Sequence, residues 1–202
     1  MAPTNTDRSV VKLGGSLLEL ADWPDRLRRW LDRRRTRQQV LVVGGGPEVD
    51  ALREAQQRTQ PDETTAHWMC IAAMAVNART VAATLDAPII TAMQLRAAAP
   101  RTGVGVIDPW QFLWHEEPTL VEAPLPASWD VTSDSIAARL SDVLGLDELA
   151  LLKSSAPKPT WTKADAAAAN YVDRYFPQAA RNLRVRCVDL RSIDFAEQWL
   201  GK

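Results

Sequence analysis

The sequence predicts an α/β fold in which a mostly parallel sheet is covered by helices on both faces. Short apolar runs rich in β-branched residues alternate with segments of helical periodicity, and the connections between them are short. With 202 residues, 46% of them hydrophobic, the chain is long enough for one domain with a substantial core. No internal repeat or linker divides the sequence, so one domain over residues 1–202 is expected.

Four strands and three helices are predicted in the first half. The helix after the first strand has Leu27, Leu31 and two tryptophans on one side and arginines on the other, which is the pattern of an amphipathic helix. The helix from about Thr65 to Leu85 is mostly Ala, Met and Val, so it is expected in a buried layer. The predicted strands are 9–13, 38–43, 88–92 and 103–107, and the remaining helix covers 48–57.

The same alternation continues in the second half. Residues 134–145 place Ile136 and Leu140 on one helix face, and Gly145 is a stop signal. A strand is predicted at 149–153, followed by a Pro-rich loop at 154–163. A helix is then predicted over 164–176 and a last strand over 184–190.

Composition excludes several classes of function. The net charge of -1 and the pI of about 6.1 provide no field for binding nucleic acid or an anionic membrane, so a small-molecule partner is expected. Cys70 and Cys187 lack the spacing of a disulfide framework or a zinc site. The N-terminal stretch is polar, without the apolar core of a signal peptide, and a cytoplasmic location is therefore expected.

Two predicted strands end in glycine clusters, at Gly14, Gly15 and Ser16 and at Gly44, Gly45 and Gly46. Glycines at a strand-to-helix turn allow the backbone N–H groups to approach an anion closely, although ordinary turns use glycine as well. A dinucleotide motif is excluded because Val49 stands where its third glycine belongs, and no P-loop motif occurs. Two such clusters favour a phosphate site.

Lysine usage adds a second indication of a phosphate site. The chain has 19 arginines and only five lysines, and Lys12 and Lys153 lie at the ends of predicted strands. An ammonium group is a compact partner for phosphate oxygens. Asp134 has two interpretations: it caps the helix that begins near Thr132, or it holds a lysine in place.

The sequence resembles the amino acid kinase family, in the segments VVKLGGSLL, VLVVGGGPEVDALRE, WDVTSDSIAARL and LALLK, which occur in the family's order. This resemblance implies a three-layer αβα sandwich and an ATP-dependent, magnesium-assisted transfer of a phosphoryl group. It assigns acceptor binding to about residues 1–128 and ATP binding to about 129–202. A homodimer or a higher homo-oligomer is expected, because dimers are common among symmetric assemblies.

The resemblance also implies individual roles. Lys12 reaches the transferring phosphoryl group, Gly14 to Ser16 wrap it, and Gly44 to Gly46, with Ser133, contact the acceptor. Asp134 orients the cationic groups. Spacing alone favours the helix-cap interpretation of Asp134, and the resemblance reverses that preference. No residues are assigned to a protein-held metal.

The second half departs from the family pattern. No glycine occurs between Gly145 and Gly201, so two glycine features that contact the nucleotide in the family are absent. Lys153, Lys158 and Lys163 are the candidates for a second phosphate-binding lysine, and Lys153 is preferred for its position at a strand end.

Three functions follow from these features. The shortened second half is similar to kinase-like enzymes that convert an aminomethylfuran methyl phosphate to its diphosphate in methanofuran-type cofactor synthesis, which implies a phosphomonoester acceptor. A carboxylate acceptor, as in acetylglutamate or aspartate kinase, is the second possibility. A binding protein without turnover is the third, and the missing glycines are its support.

Several other residues are left with open roles. His67 and His115 have no partner at metal-ligand spacing, which favours structural roles, although residues 67–70 are placed where they can face an acceptor. Asn77, within an apolar helix, needs a hydrogen-bond partner if it is buried. Trp110 and Trp114 are candidates for an acceptor contact or a dimer contact.

Overall fold

The computed structural model describes residues 7–34, 37–120 and 123–201, and within these ranges seven strands form one sheet. The strands are β1 (Arg8–Leu13), β2 (Gln38–Val43), β3 (Ile89–Ile90), β4 (Gly103–Ile107), β5 (Glu148–Lys153), β6 (Arg184–Asp189) and β7 (Glu197–Leu200). They lie in the order β3-β4-β2-β1-β5-β6-β7, and every neighbouring pair is parallel except β6 and β7. The predicted, mostly parallel α/β fold is confirmed.

Helices cover both faces of this sheet. They are α1 (Trp23–Asp32), α2 (Gly46–Thr59), α3 (Glu63–Leu85), α4 (Ala92–Ala97), α5 (Ser133–Val143), α6 (Lys163–Ala168) and α7 (Phe176–Ala179). Short 3-10 turns occur at Gly15–Leu17 and Glu117–Thr119, and a π-helix covers Gln111–Glu116. The chain therefore builds three layers, helix on sheet on helix.

Alternation along the central strands decides which side chains meet the two helical layers. Successive strand residues point to opposite faces, so Val10 packs in the core that contains α5, and Val11 packs in the core that contains α1. Lys12 falls on the face of Val10, and Lys153 falls on the face of Leu149 and Leu151, which is the same face. Both lysines are thereby directed toward α5.

The apolar helix α3 contributes to both cores, which confirms the buried layer predicted for it. Ile71 and Met74 belong to the core on the α5 side, and Ala78 and Val81 belong to the core on the α1 side. In the described part of the chain, α3 is also the one helix whose length and composition would suffice to cross a membrane. Its packing against the sheet explains that hydrophobicity without a membrane.

The prediction of one helix over 164–176 is wrong, because the helix that begins there stops early. Helix α6 ends at Ala168, Asn170 adopts a left-handed conformation with φ of 54°, and the amide of Tyr171 turns back to the carbonyl of Ala166 at 2.8 Å. Asparagine tolerates this conformation, which is a common helix stop. Periodicity missed the break because Val172 and Phe176 are buried after it, as helical residues would be.

The two edges of the sheet also differ from prediction. The strand predicted at 88–92 is only two residues long, because Thr91 begins helix α4 with a capping box. At the other edge, the predicted last strand is followed by β7, which pairs antiparallel with β6. The four residues Glu197–Leu200 include two polar side chains, and this run is too short for periodicity to identify as a strand.

Candidate active site

Two loops meet at the carboxyl ends of β1 and β2. The first glycine loop is Gly14, Gly15 and Ser16, and the second glycine loop is Gly44, Gly45 and Gly46. The amide of Gly14 donates to the carbonyl of Leu152 at 2.9 Å, and the amide of Gly44 donates to the carbonyl of Leu13 at 2.9 Å. Both loops are therefore anchored to neighbouring strands, and these two amides are occupied.

Close contact between the loops explains why glycine stands at Gly15 and Gly46. A Cβ atom added to Gly15 would lie 2.1 Å from the nitrogen of Gly46, and one added to Gly44 would lie 2.7 Å from the nitrogen of Gly15. Gly46 has a φ of 56°, which side chains rarely adopt. Part of the glycine pattern that predicted a phosphate site is thus required by backbone packing.

Asn77 of α3 holds the second glycine loop in place. It is buried, and its Nδ2 donates to the carbonyls of Gly44 at 3.2 Å and Gly45 at 2.8 Å and to the Glu48 carboxylate at 3.1 Å. The partner that a buried amide requires is therefore the loop itself. The amide fixes the carbonyls on one side of the loop, and the backbone N–H groups at the start of α2 are left for a ligand.

Lys12, Asp134 and Lys153 form one buried cluster. Lys12 Nζ lies 2.9 Å from Asp134 Oδ1, and Lys153 Nζ lies 2.7 Å from Asp134 Oδ2. We call Lys12 and Lys153 the lysine pair. The three predicted residues come from β1, α5 and β5, and the structure brings them together.

Burial and charge shift the pKa values in this cluster. Burial would raise the pKa of Asp134, but the two ammonium groups outweigh it and lower that pKa to about 2. Burial lowers the pKa of Lys12 to about 8, with Lys153 acting in the same direction and the Asp134 carboxylate opposing both. Asp134 is therefore ionised at neutral pH, and the pKa of Lys12, about 8, lies not far above neutral pH.

The second lysine is identified by its contacts. Besides Asp134, Lys153 Nζ donates to the carbonyl of Tyr171 at 2.7 Å and lies 5.2 Å from the centre of the Tyr171 ring. Lys163 is buried elsewhere and donates to the carbonyls of Ala180 and Leu183, so it serves the fold. Lys158 lies over the Trp161 ring at 5.8 Å. Of the three candidates, Lys153 alone contacts Asp134.

Asp134 does not cap its own helix, so the helix-cap interpretation is wrong. Thr132 occupies the cap position of α5 without a side-chain cap bond, and Asp173 supplies the carboxylate instead. Sequence reasoning missed Asp173 because it lies in the segment that periodicity assigned to a helix. Only the three-dimensional path of the chain carries it to α5.

A cavity opens beside the glycine loops, and we call it the central cavity. Its volume is about 190 Å³. At one end it is lined by Gly15, Ser16, Gly45, Gly46, Thr132 and Ser133, and its remaining wall consists of Val49, Asp50, Arg53, His67, Cys70, Ile71, Met74, Ser128, Trp129 and Val131. Lys12, Asp134 and Lys153 are not among the lining residues, but Lys12 shortly precedes Gly15 in the chain and Asp134 directly follows Ser133.

The far end of the central cavity mixes apolar and polar groups. Arg53 lies over the Trp129 ring at 5.2 Å and pairs with Asp50 at 3.2 Å. His67 Nδ1 donates to the carbonyl of Ser128 at 3.0 Å, and burial lowers the pKa of His67, so its ring is neutral at neutral pH. Residues 67–70, left open by the sequence, do contribute to the cavity wall.

The described residues contain no group of three or more His, Cys, Asp and Glu side chains that would hold a metal ion. Both oxygens of Asp134 are taken by the lysine pair, and Asp173 is taken by α5. Magnesium prefers phosphate oxygens, water and one or two free carboxylates. These residues do not fit a protein-held magnesium ion.

Comparison with known proteins supplies the family. Residues 7–156 match the profile of the amino acid kinase family, whereas no curated protein sequence matches the chain. The UMP kinase from Ureaplasma parvum superposes with a TM-score of 0.68 and 14% sequence identity, over 98% of this chain and 100% of that one. Uridylate kinase from Archaeoglobus fulgidus gives a TM-score of 0.61 at 16% identity, over 96% and 91%.

The aspartate kinase from Synechocystis gives a TM-score of 0.60 at 15% identity, over 95% of this chain but 40% of that one. At such identities the structural likeness establishes the fold. The family profile spans well over half of the sequence and includes both glycine loops, the lysine pair and Asp134. The chain therefore belongs to the amino acid kinase family.

Proposed function

We propose that the protein is an ATP-dependent kinase that transfers the γ-phosphoryl group to a small acceptor bound in the central cavity. One observation carries this proposal: the Lys12–Asp134–Lys153 cluster joins the ends of β1 and β5 to the start of α5, and the chain neighbours Gly15 and Ser133 line the central cavity. Two ammonium groups and the first turns of α2 and α5 converge there. Negative charge accumulates at that position during phosphoryl transfer.

In this proposal the chain acts by positioning and by charge. The lysine pair neutralises charge on the transferring group, and Asp134 holds both ammonium groups at a fixed separation. Gly15, Ser16, Gly45, Gly46 and Ser133 contact the reacting phosphates, whereas Gly14 and Gly44 fix the loops through their occupied amides. Magnesium is brought by ATP and adds further positive charge there.

The acceptor is proposed to be a phosphomonoester. Its reacting oxygen is already ionised at neutral pH, because the second pKa of a phosphate ester is about 6, so no general base is needed. The apolar wall formed by Val49, Ile71 and Met74 suits a flat ring, and a cationic substituent would take the place of Arg53 beside Asp50 at the far end. An aminomethylfuran methyl phosphate of methanofuran-type cofactor synthesis has these three parts.

A carboxylate acceptor is the alternative of the same reaction class, since a carboxylate also needs no base. The two acceptors differ in charge at the reacting end. A dianionic phosphate makes fuller use of two lysines and two helix N-termini than a monoanion does. The phosphomonoester is preferred on this ground.

A nucleotide-binding protein without turnover is the other candidate. Two observations favour it: no glycine occurs between Gly145 and Gly201, and Lys153 is already bonded to Asp134 and to the carbonyl of Tyr171. In the kinase proposal, residues of about 129–202 bind ATP, and Lys153 exchanges the Tyr171 carbonyl for a phosphate oxygen. In a binding protein without turnover, Lys153 keeps its bond to the Tyr171 carbonyl.

The experiment is ADP release from magnesium–ATP with a panel of small phosphomonoesters and carboxylates, with acceptor-free reactions as the control. Turnover only with a phosphomonoester, and most with aminomethylfuran methyl phosphate, is the expected result. Turnover only with a carboxylate would contradict the acceptor class. Thermal stabilisation by magnesium–ATP without ADP release from any acceptor would favour the binding protein.

We also propose a cytoplasmic homodimer. Four large apolar side chains are exposed on α3, α4 and the π-helix: Met69, Val76, Met93 and Trp114. Trp114 packs on Trp68 at 4.7 Å and stacks on Trp110 at 5.3 Å, so this surface is preformed. A second copy presents the same apolar surface, as a two-fold dimer requires. Light scattering of the wild type and of Trp114→Glu tests this; an unchanged mass would contradict it.

A further inference from the structure

Apart from capping α5, Asp173 has no role in the proposed reaction, and it makes more hydrogen bonds than any other described carboxylate near the lysine pair. It accepts from the Thr132 amide at 3.0 Å, from the Thr132 hydroxyl at 2.9 Å and from the Ser135 amide at 3.0 Å. The Ser135 hydroxyl donates a fourth, short hydrogen bond. All four donors belong to the first turn of α5 or to its cap.

The segment that carries Asp173 is tied to the lysine cluster at a second point. Residues 170–175 connect α6 to α7, and within them the carbonyl of Tyr171 accepts from Lys153 at 2.7 Å. The Tyr175 amide donates to the carbonyl of Asp130 at 3.0 Å, just before α5. One short segment is thus hydrogen-bonded both to Lys153 and to the residues just before α5.

Asp173 also changes the charge balance of the cluster. Two ammonium groups face only one carboxylate in the Lys12–Asp134–Lys153 cluster, and Asp173 is the second carboxylate close enough to affect Lys12. Its negative charge favours the protonated form of Lys12, against burial, which favours the neutral form. Burial and the Asp134 carboxylate raise the pKa of Asp173 itself, and the hydrogen bonds from Ser135 and Thr132 oppose that rise.

We propose that Asp173 is a positioning residue of the phosphoryl-transfer site, whose hydrogen bonds fix the first turn of α5 so that Asp134 holds the lysine pair. This role rests on the proposed kinase function, because its consequence is catalytic. The action is indirect: Asp173 bonds to Thr132 and Ser135, and Asp134 lies between them.

The groups that face Lys12 determine what a substitution does. They are Asp134 from α5, Lys153 from β5 and Asp173 from residues 170–175. Cys187 of β6 is also near, but burial raises the pKa of its thiol to about 12, so it stays neutral at neutral pH. Removing the charge of Asp173 therefore lowers the pKa of Lys12 while the other neighbours keep their charge.

The test compares Asp173→Asn with the wild type. Asparagine is itself a good cap, so the fold is retained and the charge is lost. The expected result is that kcat falls about tenfold, KM values change little, and the basic limb of the kcat–pH profile moves about half a unit lower. Asp173→Ala, which loses the charge and the bonds, should reduce kcat further.

Asp165→Asn is the matched control. Asp165 accepts from the Thr162 amide at 2.9 Å and from its hydroxyl at 2.7 Å, and so it caps α6 in the same half of the chain. Its hydrogen bonds go to Thr162 and not to the lysine cluster, so its variant should leave kcat and the basic limb unchanged. A purely structural loss of a cap would affect the two variants alike.

A second measurement does not depend on kinase activity. Competitive acetylation of the lysines at a series of pH values, read by mass spectrometry, gives the pKa of Lys12 directly. A lower Lys12 pKa in Asp173→Asn, and not in Asp165→Asn, supports the proposal even if no acceptor turns over, in which case only the proposed function fails. An unchanged Lys12 pKa, or loss of the fold in Asp173→Asn, would overturn it.

Discussion

The two halves of the site are held in place by different kinds of residue. Around β1, β2 and α2, the backbone forms the site: two glycine loops approach so closely that side chains are excluded, and Asn77 fixes the carbonyls of the second loop. Around β5 and α5 there are no glycine loops: the Tyr171 carbonyl accepts from Lys153, and the Asp173 carboxylate accepts from the start of α5. The comparison teaches that, in the half without glycine loops, residues 170–175 support Lys153 and the start of α5 instead.

Lys12→Ala is the substitution with the largest expected effect, because it removes the charge at the point where both halves meet. We expect kcat to fall by about a thousandfold, in the range seen when one group that stabilises transition-state charge is lost. The measurement is ADP release, with circular dichroism to confirm the fold. Lys158→Ala is the control, since Lys158 has no contact with Asp134. Activity within threefold of wild type would contradict the assignment.

Gly15→Ala tests whether the backbone half depends on close approach. The new Cβ would lie 2.1 Å from the nitrogen of Gly46, so the two loops must separate. We expect kcat/KM to fall about a hundredfold and the free energy of unfolding to fall by about 2–3 kcal/mol, as for other overpacked sites. Gly201→Ala is the control, because its nearest neighbour would be 3.6 Å from the new atom. Equal effects of the two variants would remove the distinction between the halves.

The loss of stability at low pH tests the ion pairs of Asp134 with Lys12 and Lys153, which join the two halves. The pKa of Asp134 is lowered from an ordinary 3.8 to about 2, so the folded state binds fewer protons than the unfolded state between these values. Stability from this group is complete above pH 3.8 and is lost as pH falls to about 2. The loss is about 2 kcal/mol, measured by urea unfolding at each pH. The same acid loss in Asp134→Asn would show that other groups cause it.

Asn77→Ala should have the smallest effect, because it loosens one loop without removing a charge. Three hydrogen bonds to the second glycine loop and Glu48 are lost together. We expect KM for the acceptor to rise about tenfold, equal to about 1.4 kcal/mol, with kcat changed less. Thr80→Ala, an exposed position on the same helix, is the control. A change confined to KM for ATP would contradict the assignment of the second glycine loop to the acceptor.

Local pattern was sufficient for the residues whose role depends on strand ends. Lys12, Lys153 and the glycine loops were found because apolar runs stop at them, and in a parallel sheet the strand ends meet at one edge. Asp134 needed the family resemblance, since a carboxylate at a helix start is usually a cap. Asp173 gave no signal, because buried residues on either side of it imitate a helix.

The sequence by itself determined the α/β alternation, the parallel sheet and the side of the sheet to which Lys12 and Lys153 point. These features depend on hydrophobic periodicity and on the two-residue alternation of strands, which are local properties. Only the tertiary structure decided that Asp134 bridges the lysine pair, that the glycine loops touch, and that Asp173 caps α5. Those contacts join residues distant in sequence, and they are fixed by how the layers pack rather than by any local preference.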